Sequence, residues 1–221
     1  MPIILDGACG WGDPMHMHRT IATAEVAGFA AIEIEDQVYS KQAAHHVGIE
    51  ELVPTQHMCA KIRECVAARR NPDFLLIART SDGKEHIEDA LRRGEAYASA
   101  GADLLMFTPG PLTDPEKMRF LGERLDTPLV FLSPPVGLAT IDLTIDQMNE
   151  IGFRIIIDAM TLTGVIYEAL KSAYDELAEP GFAIRSRPAA EWWQSIEAMH
   201  ETIDFDILLA AESERGARQS G

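Results

Sequence analysis

Short apolar runs alternate along this chain with longer stretches in which apolar residues recur at three- and four-residue spacing. The short runs read as strands and the spaced stretches as amphipathic helices. Six strands are predicted, at Ile3–Asp6, Ala31–Glu35, Phe74–Arg79, Leu104–Phe107, Leu129–Leu132 and Arg154–Ile157. Ile62 with Val66, and Leu91 with Ala98, mark helices between them. Several helices end at a glycine just before the next strand (Gly28, Gly101, Gly152), where a left-handed cap is needed. Repeated βα units of this kind build a parallel sheet, either open or closed into a (β/α) barrel.

Three strands end in charge, the first at Asp6. The run Ile32-Glu33-Ile34-Glu35-Asp36 stops at adjacent carboxylates, and Phe74-Leu75-Leu76-Ile77-Ala78 stops at Arg79. An acid at the end of a buried strand is costly unless it holds a metal or a proton. Successive side chains alternate, so Glu35 and Asp36 point to opposite faces, and Asp36 fits an ion-pair role as well as a functional one. The planar fork of Arg79 suits bidentate anion binding, with a buried ion pair to Glu35 or Asp36 as the plainer role. In a barrel, chemistry gathers at the C-terminal strand ends, where Asp6, Glu35, Arg79 and Thr108 all fall.

Composition narrows the partners. The 221 residues are 47% hydrophobic, enough for one sizeable α/β core. Thirty-five acids against 19 bases give a formal charge of −16, which repels nucleic acid and anionic lipid. No run has the length of a membrane span and the N-terminus lacks the basic start of a signal peptide, so a cytoplasmic protein is expected. Cys9, Cys59 and Cys65 have neither metal-ligand spacing nor the even count of a disulfide framework, and read as reduced thiols. His16 and His18 would share a metal only on an extended segment. Gly10 and Gly12 lack the third glycine of a dinucleotide loop.

Three strings carry a family resemblance: Asp6-Gly7-Ala8-Cys9-Gly10-Trp11-Gly12, then Ile34-Glu35-Asp36-Gln37 with Lys41 beyond it, then Ile77-Ala78-Arg79-Thr80-Ser81-Asp82. They resemble D-A-D-T-G-Y-G, H-I-E-D-Q-x-x-P-K-K-C-G-H and I-A-R-T-D-A of the isocitrate lyase and phosphoenolpyruvate mutase superfamily, over Pro2 to about Leu170. The resemblance implies a TIM-like (β/α) barrel over residues 1–185, followed by a helical extension and tail over 186–221. It further implies a Mg²⁺-dependent enzyme that cleaves a carbon–carbon bond in a small α-oxo or α-hydroxy carboxylate. By position, Asp6 matches a direct metal ligand, Glu35 a carboxylate holding the metal through water, and Arg79 the arginine that grips substrate. Gly10, Trp11, Gly12 and Thr108 match the substrate-binding surroundings, and Lys41 and His45 the catalytic loop. An uncovered barrel edge, together with Trp192 and Trp193, suggests a homodimer or homotetramer. The helix predicted over Pro188–Met199 carries Trp192 and Trp193, a pair that fits either a core or a subunit interface, the core being the commoner place.

Departures are equally specific. Ala43 stands where the lyases carry a cysteine acid, leaving His45 as the first candidate for a general acid near neutral pH and His46 as its neighbour. Ala8 replaces a second aspartate, Thr108 a glutamate, and Leu132 and Pro134 an asparagine and a threonine. The superfamily barrel has two βα units before the strand matching Ile3–Asp6, so the barrel here is expected to be incomplete at its N-terminal side. Two other readings share the fold: a homologue that kept it for binding or assembly, and an enzyme acting on a carbon–phosphorus bond.

Overall fold

A computed structural model describes residues 1–38, 51–82, 87–108, 114–133, 141–181 and 183–211. It divides into two compact units, Met1–Gly164 and Val165–Gly221. The first holds six strands: β1 (Ile4–Asp6), β2 (Ala31–Glu35), β3 (Leu75–Thr80), β4 (Leu104–Phe107), β5 (Leu129–Leu132) and β6 (Phe153–Ile157). All pair in parallel in sequence order, each predicted strand lying within a residue of its observed position. Five helices alternate with them: α1 (Met17–Val26), α2 (Thr55–Ala68), α3 (Ile87–Ala100), α4 (Pro115–Gly122) and α5 (Ile145–Ile151). This is a curled half-barrel, an incomplete TIM-like fold in which β1 and β6 are edge strands among the described residues.

Strand alternation sorts the side chains onto two faces. Ile32, Ile34, Leu76, Ala78, Leu105, Phe107 and Phe131 pack outward against the helices in one large core. Ala31, Ile77, Leu104, Met106 and Val130 form a second cluster on the inner face, with Ile4, Leu132, Ile155 and Ile157 packed against it. The inner cluster is the floor on which the strand-end charges stand. The turns that return the chain to the sheet follow the glycine prediction: Gly28, Gly101 and Gly152 have φ of 84°, 110° and 119°. Gly152 caps α5 in the left-handed region.

Gly122 is needed for a different reason. A Cβ there would run into the backbone carbonyl of Ile151, the last residue of α5, and backbone cannot swing aside as a side chain can. Gly122→Ala is therefore expected to destabilise the first unit by about 1–3 kcal/mol, the usual range for overpacking. Chemical denaturation checks this; an unchanged midpoint would mean that α4 and α5 yield to each other without loss.

The second unit contains most of α6 (Thr161–Ala178) and all of α7 (Ala189–Thr202). Trp192 and Trp193 lie on α7 as expected, but they are 38% and 67% exposed, so the core reading of the pair is corrected. Adjacent positions on a helix diverge by about 100°, and the second of the two is turned fully outward. Among the described residues no helix is long and apolar enough to cross a membrane.

Candidate active site

The site is assembled where β2, β3 and β4 end. Glu35 pairs in register with Arg79, and Arg79 with Met106, so the side chains of Glu35 and Arg79 rise side by side on the inner face. Arg79 Nε lies 3.5 Å from Glu35 Oε2 and donates to Thr108 Oγ1 at 2.9 Å. Arg79 Nη1 lies 3.6 Å from Glu33 Oε2. Glu35 is fully buried and Glu33 nearly so. Gln37 Nε2 donates to Ser81 Oγ at 3.0 Å, and Ser81 Oγ stands 3.4 Å from Thr108 Oγ1, which extends a polar chain away from the guanidinium. Three of the residues singled out from sequence, Glu35, Arg79 and Thr108, are thus in one cluster.

Asp36 points the other way, as alternation demands. Its carboxylate accepts from Tyr97 Oη at 2.6 Å and from Arg93 Nη1 at 3.1 Å, both on α3. Arg93 also donates from Nε to Asp82 Oδ2 at 2.8 Å and from Nη1 to the Val53 carbonyl at 3.1 Å. Burial pushes the Asp36 carboxyl above the ordinary aspartate range, opposed by the hydrogen bonds from Tyr97 and Thr80 and by the charge of Arg93. This ion pair is structural and stands behind the sheet, back to back with the Glu35–Arg79 pair.

Asp6 ends β1, exposed, next in register to Glu33 on β2. Its Oδ1 accepts the Ala8 amide at 2.9 Å, the turn that opens the glycine loop. That loop is held tightly. Gly7 donates to the Glu33 carbonyl at 2.8 Å, and a Cβ at Gly7 would meet that oxygen at 2.7 Å. Ala8 and Trp11 adopt φ of 45° and 56°, conformations that persist in non-glycine residues only where the surroundings over-determine them. The surroundings here are the Glu35 amide on the Ala8 carbonyl, Lys61 Nζ on the Cys9 carbonyl at 2.8 Å, and Thr20 Oγ1 on the Gly10 carbonyl at 3.1 Å. Gly10 and Gly12 lie in this loop, while the side chain of Trp11 lines a groove beside α1 with Leu5, His16 and Phe29.

Sequence reasoning missed two participants. Glu33 shares the face of Glu35 because it lies two residues earlier on the same strand, and the family string carries histidine at that place; both signals were present. Lys61 falls on the buried stripe of α2 with Met58, Ile62 and Cys65, so a charge on an apolar stripe was its mark. Burial lowers its ammonium pKa. His16 and His18 do not form a metal pair: the segment is a 3-10 turn leading into α1, with His16 Nδ1 accepting from the Asp13 amide and His18 paired to Glu64 at 2.7 Å. The three cysteines are buried and form no disulfide. Lys41, Ala43, His45, His46 and Pro134 lie outside the described residues.

A divalent cation can be tested against these donors. Among the described residues no group of three or more His, Cys, Asp or Glu side chains is disposed to hold a metal. Mg²⁺ does not require one, because it binds through one or two carboxylates and keeps several waters. Asp6, Glu33 and Glu35 supply oxygen donors on neighbouring strands, which fits a hard ion.

A half-barrel of parallel strands with acids and an arginine at the C-terminal strand ends has its polar groups where (β/α) barrels place their sites. The chain belongs to the phosphoenolpyruvate phosphomutase family, whose model matches residues 1–178. It is 36% identical over 82% of its length to a 2-methylisocitrate lyase of Aeropyrum pernix, and spans 57% of that protein. The fold matches a crystal structure of 2,3-dimethylmalate lyase with a TM-score of 0.73 and 29% identity, over 94% of this chain and 71% of that one. It also matches phosphonopyruvate hydrolase in complex with oxalate and Mg²⁺, with a TM-score of 0.66 and 26% identity, over 91% of this chain and 71% of that one.

Proposed function

We propose that this chain carries the catalytic face of a Mg²⁺-dependent lyase that cleaves a carbon–carbon bond in a small α-oxo or α-hydroxy carboxylate. The observation that carries the reading is the buried Glu35–Arg79–Thr108 cluster at the ends of three consecutive strands, with the exposed Asp6 ending the adjoining strand β1. Arg79 binds the substrate carboxylate, Thr108 fixes its guanidinium in the plane of the site, and the Gly10-Trp11-Gly12 loop borders the ligand. Asp6 and Glu35 would hold Mg²⁺, Asp6 directly and Glu35 through water, and the ion when bound would supply positive charge against the enolate-like oxygen of the breaking bond. His45 delivers the proton in place of the cysteine that Ala43 replaces, and Lys41 assists on the same segment. The protein acts in the cytoplasm as a homodimer or homotetramer, a reading supported by apolar side chains such as Ile166, Leu170 and Trp193 that α6 and α7 leave exposed.

The test is a thermal-shift titration of the full chain with Mg²⁺ and oxalate. A ligand at about 100 times its Kd stabilises by roughly 2.7 kcal/mol, a shift easily read. Asp6→Asn is expected to remove that stabilisation while leaving the unliganded midpoint in place, because Asp6 is exposed and its Ala8 contact survives in an amide. Persistence of the shift in Asp6→Asn would remove Asp6 from the metal site. Absence of any shift in the wild type would favour the non-catalytic homologue, for which the replacements at Ala8, Ala43 and Leu132 speak.

A further inference from the structure

Glu33 is the inner-face acid to which the proposed reaction gives no role. It stands between Asp6 on β1, its register partner, and Ile77 on β3, and its Oε2 faces Arg79 Nη1 at 3.6 Å. The other side of the same guanidinium is taken by Glu35 and Thr108. Arg79 therefore meets a ligand with two carboxylates already against it. Among the described residues the C-terminal strand ends of β1–β3 carry three acids on the inner face, Asp6 on β1 and Glu33 and Glu35 on β2, and one arginine, Arg79, which faces Glu33 and Glu35; with a divalent cation bound, these charges balance to zero before any substrate arrives. Were Glu33 neutral, the same site would keep one net positive charge for its ligand.

We propose that Glu33 is a specificity-determining residue: by occupying the Nη1 side of the Arg79 fork, it makes the site favour a carboxylate over the more highly charged phosphonate. This rests on the assignment of Arg79 as the anion-binding residue in the proposed function, and it narrows that function to carboxylate substrates. The physical basis is Coulombic. At the effective screening of a partly buried site, removing a unit charge about 6 Å from a ligand changes affinity by roughly 10- to 100-fold for each charge the ligand carries. Each added negative charge on the ligand therefore widens the difference.

Oxalate and phosphonoformate make the comparison, since they share a skeleton and differ by one phosphonate in place of a carboxylate. Their affinities are measured by calorimetry on the full chain, each with and without Mg²⁺, for wild type, Glu33→Gln and Glu33→Ala. Glu33→Gln is expected to bind both anions more tightly, with phosphonoformate gaining at least about tenfold more than oxalate. Glu33→Ala must show the same order, which guards against a local effect of the amide. The gain must vanish in Glu33→Gln/Arg79→Gln. An equal gain for both anions, a loss, or no anion binding by either charge-neutral variant overturns the proposal. The two readings fail separately. A selective gain without Mg²⁺ upholds the role of Glu33 even if the metal adds nothing, whereas Mg²⁺-dependent oxalate binding with an unchanged anion ratio refutes it and leaves the lyase reading standing.

Discussion

Glu35→Gln is expected to weaken Mg²⁺ binding by about 10- to 100-fold, the cost typical of losing a group that holds a metal through its outer sphere. The protein should stay folded. Glutamine keeps the volume of a fully buried side chain, and Arg79 retains Glu33 at 3.6 Å and Thr108 at 2.9 Å. The competing role for Glu35 is a structural partner of Arg79, and the two roles separate in measurement. A structural partner, once neutralised, would lower the denaturation midpoint and leave metal affinity untouched; a metal-holding carboxylate does the reverse. Isothermal calorimetry with Mg²⁺, alongside denaturation of the same variant, reads both. Wild-type Mg²⁺ affinity in Glu35→Gln would make the metal assignment wrong.

The strands were legible as short runs rich in apolar residues: β2 and β4 are buried at every position, while β1 and β6 at the sheet edges are only partly so. The split of Glu35 from Asp36 followed from alternation alone, and the structure realises it with Arg79 on one side and Tyr97 and Arg93 on the other. Alternation puts Glu33 on the same face as Glu35, but an acid in mid-strand carries no end-of-strand mark to set it apart from a satisfied core charge. Arg93 was not legible at all. Its partners Asp36, Asp82 and the Val53 carbonyl are 57, 11 and 40 residues away, and nothing in local spacing binds such positions together. Trp192 and Trp193 show the converse limit, since a helical apolar pair fixes the helix but not what covers it.

Arg93→Ala carries the largest stability change expected of this chain. Asp36 is fully buried, and removing the cation that faces it leaves a charge with only the hydroxyls of Tyr97 and Thr80 and the backbone to stabilise it. Breaking a buried pair in this way costs about 3–5 kcal/mol. Tyr97→Phe, which removes one hydrogen bond and keeps the ring, should cost only about 1–3 kcal/mol. The pH dependence has a definite sign. Burial raises the folded-state pKa of Asp36 above its ordinary value, and losing Arg93 raises it further. The folded protein then binds a proton more readily than the unfolded chain, so this residue destabilises the fold increasingly as pH climbs from the ordinary aspartate pKa to the raised one. The deficit of Arg93→Ala relative to wild type should therefore be smaller near pH 5 than near pH 8. Urea denaturation at the two pH values measures it. A deficit that stayed constant, or grew on acidification, would mean that Arg93 stabilises the fold through its bonds to Asp82 and Val53 rather than through the charge of Asp36.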